Sequence, residues 1–211
     1  IEYGGGLMFS KFIGYAPDID PSTPGVITDA VDYLPTLKGH AAAPSNVSAG
    51  FDALAAACIG SAICQNLNGN YRLFAGTAAA IYEGVTAPTW TDRSRVGGYS
   101  GTTDHRFSFA QFGDVSLAAI KANTLQASAT SGTAFADISG APKARFVDVV
   151  PGFVMLADTN DGVNDLSDRW HCSAFEDYTD WTPSVATQCT TGRLVGAPGP
   201  IRAWKRLGDG I

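Results

Sequence analysis

The sequence predicts an all-β fold made of β-propeller-like blades of short antiparallel strands, preceded by an extended N-terminal arm. Three observations predict it. First, one pattern recurs three times: an apolar run, a small or polar break, a second short apolar run, a polar turn and one large aromatic. The copies are Arg72–Thr77, Ala80–Tyr82, 84–89 and Trp90; Val115–Ile120, Thr124–Ala127, Ser131–Gly132 and Phe135; Phe153–Ala157, Arg169–Cys172, Asp177–Asp180 and Trp181. Second, the aromatics lie 45 and 46 residues apart, and a period near 45 with about four short strands per unit is propeller spacing. Third, each aromatic opens a like-shaped tail (Trp90–Ser94, Phe135–Ser139, Trp181–Ser184), and each new unit begins near an apolar-Gly-Asp corner: Phe112-Gly113-Asp114, the looser Val150-Pro151-Gly152, and Leu207-Gly208-Asp209. A four-stranded blade cannot bury both faces alone, so blades stack, and Trp90, Phe135 and Trp181 are each expected to plug a seam. The competing all-β reading is a sandwich in which this spacing is accidental.

In chain order, residues 1–57 read as arm and linker and 58–211 as blades of a partial propeller. Gly4-Gly5-Gly6 is flexible, and Tyr15–Gly25 is rich in turn formers and helix breakers. Val26-Ile27 and Val31–Leu34 can each add a short strand, and Leu34–Gly39 turns the chain. Residues 50–58 have helical propensity from Ala and Leu. Asn68-Gly69-Asn70, set between Ser61–Leu67 and Tyr71–Ala75, is a hairpin signal because Asn and Gly tolerate positive φ. Arg106–Phe112 alternates, with Phe107 and Phe109 on one face. Phe146–Val150 reads as a strand, 158–168 as a polar insertion, 185–197 as a loop, and Ile201–Trp204 as the closing strand of the third unit. A closed propeller needs at least about four blades, so the pattern reads as part of a longer chain.

Composition narrows the function classes. Of 211 residues 45% are hydrophobic and only 16% charged, with 24 Gly, 11 Pro and a net charge of −6. Low charge with many small residues suits short strands, tight turns and a chain that hides surface in an assembly. No Lys/Arg cluster stands out beyond the thin Arg202–Arg206 segment, which argues against sequence-specific nucleic-acid binding. An acidic surface can still line a passage through which nucleic acid slides without sticking. No apolar run approaches the roughly 20 residues that cross a bilayer, so no membrane association is expected. Cys58, Cys64, Cys172 and Cys189 form no C-x-x-C pair and read as scattered buried thiols.

Catalytic chemistry finds little footing. His40, His105 and His171 lie in unrelated segments. His171 adjoins Cys172, but strand neighbours point to opposite faces and cannot pair. No H-E-x-x-H, G-x-S-x-G or P-loop occurs. Asp158–Asp165 is similar to a calcium loop, yet its Gly162 comes one position early and Arg169 stands at the twelfth position. It therefore fails as an EF-hand and reads as a solvated loop, a structural cation being the alternative. Arg93, Arg95, Arg106, Arg145 and Arg169 are not grouped by the sequence. No catalytic, cofactor-binding or metal-binding residue is nominated.

Several phrases carry a family resemblance. They are Phe12–Asp18, Leu73–Thr77, Arg106–Val115, Phe135–Pro142, Gly152–Ala157, and Asp180–Ser184 with Gly199–Ile201 and Leu207–Asp209. Across nearly the whole chain these resemble tailed-bacteriophage virion proteins, and in function most nearly the nozzle, or tail tubular protein B, of short-tailed phages. That resemblance implies a non-enzymatic, propeller-bearing subunit in a homo-oligomeric ring, usually six-fold, below the portal and adaptor. The ring surrounds the channel through which DNA leaves. Adaptor and tail fibre or spike would be its partners, and the virion, assembled in the bacterial host cytoplasm, its location. Ser128–Phe135 also resembles the Asp-box of sialidase-type propellers, a structural turn, with Thr130 in the Asp position. The alternative function is accordingly a carbohydrate-binding or glycan-cleaving propeller acting on host surface polysaccharide.

Overall fold

The computed structural model describes residues 49–196 and 199–206, together with 14–15, 18–20, 22–23, 26–27, 33–36, 39–42 and 48. Every regular element among the described residues is a β-strand. The chain divides into two compact units between Ser48 and Ala49.

In the first unit β1 (Gly14–Tyr15) pairs in parallel with β2 (Val26–Ile27), and β3 (Tyr33–Thr36) pairs antiparallel with β4 (Gly39–Ala42). The expected strand at Val26-Ile27 is β2. The one expected at Val31–Leu34 overlaps β3.

The second unit is three successive four-stranded antiparallel meanders. Sheet 1 is β5 (Gly60–Gln65), β6 (Tyr71–Gly76), β7 (Ile81–Thr86) and β8 (Thr89–Asp92). Sheet 2 is β9 (Ser108–Phe112), β10 (Val115–Ile120), β11 (Asn123–Ser128) and β12 (Ala136–Asp137). Sheet 3 is β13 (Lys143–Val150), β14 (Phe153–Asn160), β15 (Asp165–Cys172) and β16 (Thr190–Arg193). A single bridge, Thr124 to Lys143, links sheets 2 and 3. The first hairpin of each meander turns on a glycine with positive φ: Gly69 (85°), Gly113 (58°) and Gly152 (81°). A side chain at that angle would be strained, which is why the apolar-Gly corner recurs in the sequence. These corners lie one strand inside each unit rather than at its start.

Two-residue alternation decides which face of each strand meets which neighbour. Arg72, Phe74, Ile81 and Glu83 of sheet 1 face Ser116, Ala118, Ile120, Gln126 and Ser128 of sheet 2, and all nine are buried. The opposite face of sheet 2, with Ala110, Leu117, Ala119 and Leu125, packs on Val147, Val154 and Leu156 of sheet 3. Sheet 2 is thus covered on both sides, and the core consists of two seams. The first strands lie side by side: β9 packs against both β5 and β13, and Ser108 Oγ donates to Val147 O (3.2 Å) and accepts from Val147 N (3.1 Å). The corners also meet, through Leu67 N to Asp114 Oδ1 (2.8 Å) and Gln111 Nε2 to Asn66 Oδ1 (3.3 Å).

Several expectations need correction. Residues 50–58 form no helix. Nine residues without an apolar stripe are too few to hold a helix in water, and Ala55, Ala56 and Ala57 are exposed. The closing strand of the third meander is β16, inside the stretch read as a loop, while 201–206 carry no strand. Thr-Thr-Gly-Arg has no hydrophobic alternation because β16 is an edge strand held by backbone pairing to β15. Its Gly192 is instead required by space, since a Cβ there would sit 2.8 Å from the Trp170 indole. The polar insertion at 158–168 shrinks to a turn at 161–164, because β14 runs to Asn160 and β15 starts at Asp165. The Leu207-Gly208-Asp209 corner lies outside the described residues.

Candidate functional site

Phe135 and Trp181 behave as the expected wedges. Phe135 sits 5.2 Å from Phe74 and 6.5 Å from Phe109 in the first seam. Trp181 is 4% exposed in the second. Each lies on the face of its own meander that looks toward the preceding one. Trp90 occupies the corresponding face of sheet 1, opposite Phe74, but no described sheet covers it. Instead Phe51 stacks on the indole (4.7 Å, 32°), and Trp90 Nε1 donates to Asp52 O (2.8 Å). Trp90 is therefore half-buried, and Ile63 and Tyr71 on the same face are 69% and 67% exposed. The reading of Trp90 as a wedge between two described sheets is corrected accordingly.

The first seam holds a buried ionic triad that no sequence motif announces. Arg72 Nε donates to Glu83 Oε1 (2.7 Å), and Arg93 Nε to Glu83 Oε2 (2.8 Å). The Arg72 and Glu83 side chains are each only 2% exposed. Arg72 reaches across the seam with Nη2 to Ser128 Oγ (3.0 Å), and its guanidinium lies 4.7 Å over the Phe74 ring. Burial alone raises the Glu83 pKa, but hydrogen bonds and attraction from Arg72 and Arg93 outweigh it and hold it below the ordinary carboxylate value. Phe135 N donates to Arg93 O (2.8 Å), which ties the wedge to the same cluster. The Asp-box-like stretch forms the turn that delivers Phe135, with Ser128 Oγ donating to Thr133 O (2.9 Å) and Gly132 at φ 90°.

The second seam contains the closest approach to a catalytic pair. His171 does not meet Cys172, as expected, because Cys172 points to the other face. His171 Nε2 instead lies 3.7 Å from the Sγ of Cys189, and its ring is edge-on to Trp181 at 5.4 Å. Burial, then the nearby Arg169 charge, lowers the His171 pKa. Burial, then Cys172 and Asp180, raises the Cys189 thiol to about 11. Both shifts favour the neutral pair, whereas a nucleophile needs thiolate and imidazolium. Cys189 Sγ also donates to Cys172 O (3.1 Å). All four cysteines are free; Cys64, Cys172 and Cys189 are buried, but Cys58, expected inside, is exposed.

The remaining candidates scatter. His105 accepts from Thr102 N through Nδ1 (3.0 Å). His40 is in β4, whose side chains lie outside the described residues. In the loop that resembles a calcium site, Asp161 is taken up by Val163 N, Asn164 N and Arg169 Nη1, and Asp158 by Lys121 and Arg145. Among the described residues no group of three or more His, Cys, Asp or Glu is placed to hold a metal ion. Of the five arginines that the sequence leaves ungrouped, Arg106 and Arg145 line one pocket. Arg93 belongs to the triad, Arg95 pairs with Asp137, and Arg169 pairs with Asp161. Spacing could not reveal either grouping, since the triad joins separate strands of sheet 1 and the pocket joins sheets 2 and 3.

The row of first strands borders a cavity of about 670 Å3, lined by Cys64 and Gln65 of β5, Gln111 of β9 and Asp148 of β13, with Lys205 and Arg206 at its far side. Asp148 holds that segment through Arg206 N (2.7 Å) and Lys205 Nζ (3.3 Å). Among the described residues no helix is long and apolar enough to cross a membrane. No protein-family model matches the chain, and no curated protein is significantly similar to it.

Proposed function

We propose that the chain is a non-enzymatic structural subunit of a phage tail, of the nozzle type, and that its meanders are blades of a β-propeller. The observation that carries this is the stack itself: three like meanders, face to face, with their first strands in a row and Asp148 of β13 holding the Lys205–Arg206 segment. Radial stacking of four-stranded meanders is how propeller blades bury their faces. The apolar outer face of sheet 1, with Ile63 and Tyr71 exposed beside Trp90, suits a chain built for assembly. Its partners in this reading are further copies of itself in a ring, the adaptor, and a fibre or spike. The net charge of −6 suits the wall of a DNA passage that must not retain DNA. The neutral, buried Cys189–His171 contact offers no nucleophile.

Mass spectrometry of purified particles should find this chain in the virion, and an electron-microscopy map should place its meanders radially in a ring below the portal. A chain absent from particles, or a map with the three sheets in non-equivalent settings, would overturn the proposal.

A further inference from the structure

We propose that the pocket between sheets 2 and 3 binds a single sugar ring carrying an oxyanion, with Arg106 and Arg145 as its anion donors. The pocket, about 210 Å3, is lined by Asp104, His105, Arg106, Lys121, Arg145 and Asp158. It lies at the end of the stack opposite the Gly113 and Gly152 corners. Its walls come from the loop that enters β9, the β10–β11 turn, and strands β13 and β14. Its floor is built under strain. Asp158 is 5% exposed and sits near the end of β14 at φ 56°, a left-handed angle rare for a residue with a side chain. The β14–β15 register slips across it. Such outliers cluster at ligand sites.

The charges are not all spent on one another. Lys121 is neutralised by Asp158 and by Asp165 (2.6 Å). Arg145 reaches Asp158 only at 4.0 Å, an ion-pair distance without a hydrogen bond, although its side chain is just 36% exposed. Arg106 spends Nη1 on the carbonyls of Thr103 (2.5 Å) and His105 (2.7 Å). Two guanidinium forks with donors to spare match a carboxylate or phosphate. A bare anion would leave the Asp104 carboxylate facing like charge, whereas sugar hydroxyls donate to it. The volume is below the roughly 300–1,000 Å3 of drug-sized sites, which fits one ring unit.

The test is titration of the purified chain, by calorimetry or ligand-observed NMR, with glucuronate, glucose 1-phosphate, glucose, acetate and inorganic phosphate. Saturable binding of a sugar acid, tighter than glucose, acetate or phosphate, is expected, and the first two ligands separate carboxylate from phosphate recognition. Arg106→Gln and Arg145→Gln should each weaken it about tenfold, the loss expected for one charge-assisted hydrogen bond. Arg145→Lys should weaken it less, and circular dichroism should show all three variants folded. Absence of saturable binding, binding of glucose equal to that of the sugar acids, or affinity indifferent to both Gln variants would overturn the proposal. The measurement needs no virion, so its failure is separate from failure of the tail reading.

Discussion

The seam between sheets 1 and 2 is aromatic and ionic, whereas the seam between sheets 2 and 3 is aliphatic with one indole. In the first, Phe74, Phe107, Phe109 and Phe135 form a chain of ring contacts, and Phe74 lies under the Arg72 guanidinium of the Arg72–Glu83–Arg93 triad. In the second, Leu117, Leu125, Val147, Val154 and Leu156 close on Trp181, and His171, edge-on to that indole, and Cys189 beyond it are both shifted toward their neutral forms. The backbone problem is the same in both: two twisted four-stranded meanders must hide one face each. The difference teaches that the repeat constrains where a bulky group sits, not how the rest of the seam is filled. A buried ion pair need not add stability over a well-packed apolar pair, but removal of one partner strands a charge.

The largest effect should come from that asymmetry. Glu83→Ala leaves Arg72 buried without its carboxylate and should cost about 3–5 kcal/mol in chemical denaturation. The double variant Glu83→Met/Arg72→Met should recover most of the loss. A double variant no more stable than Glu83→Ala would mean that the triad is worth more than an apolar filling of the seam.

The wedges come next. Phe135→Ala and Trp181→Ala should each cost about 3–5 kcal/mol, as for other buried aromatics. Trp90→Ala should cost clearly less, about 1–2 kcal/mol, because the indole is half-buried, resting on Phe51 and Asp52 with no described sheet over it. Equal losses at the three positions would show that Trp90 too is locked in a closed seam.

Acidification should open the seams in turn. An unfolded imidazole takes up its proton near pH 6.5, but folded His171 resists until lower pH. The second seam is therefore at full strength above that value and weakens as pH falls through it toward the folded pKa. Glu83 has a folded pKa below the unfolded carboxylate value of about 4.3, so its contribution is intact above that value and lost only as pH falls further. Thermal melts of His171→Gln should lose the slope that sets in as pH falls through about 6.5 and keep the limb due to Glu83. An unchanged slope would place the near-neutral titration elsewhere.

The smallest effect is expected at the edge of sheet 3. Arg193 and Asp168 pair at 2.8 Å in solvent, and such pairs contribute little. Arg193→Ala should leave the denaturation midpoint unchanged, and a clear shift would show that β16 depends on that pair as well as on the backbone.

The sequence by itself determined the strand content, the three-fold recurrence and the identity of two wedges. Those signals are local: alternation over five or six residues, an Asn-Gly or apolar-Gly corner that only positive φ satisfies, a ring at fixed spacing. It misjudged β16 and Ile201–Trp204, because an edge strand needs backbone partners rather than apolar residues and so writes no pattern. It also missed the Arg72–Glu83–Arg93 triad, the His171–Cys189 contact and the Arg106–Arg145 pocket. Only the tertiary structure decided these, since each joins residues from separate strands or sheets. The distance between them depends on strand pairing and on how faces stack, and neither spacing nor composition carries that information.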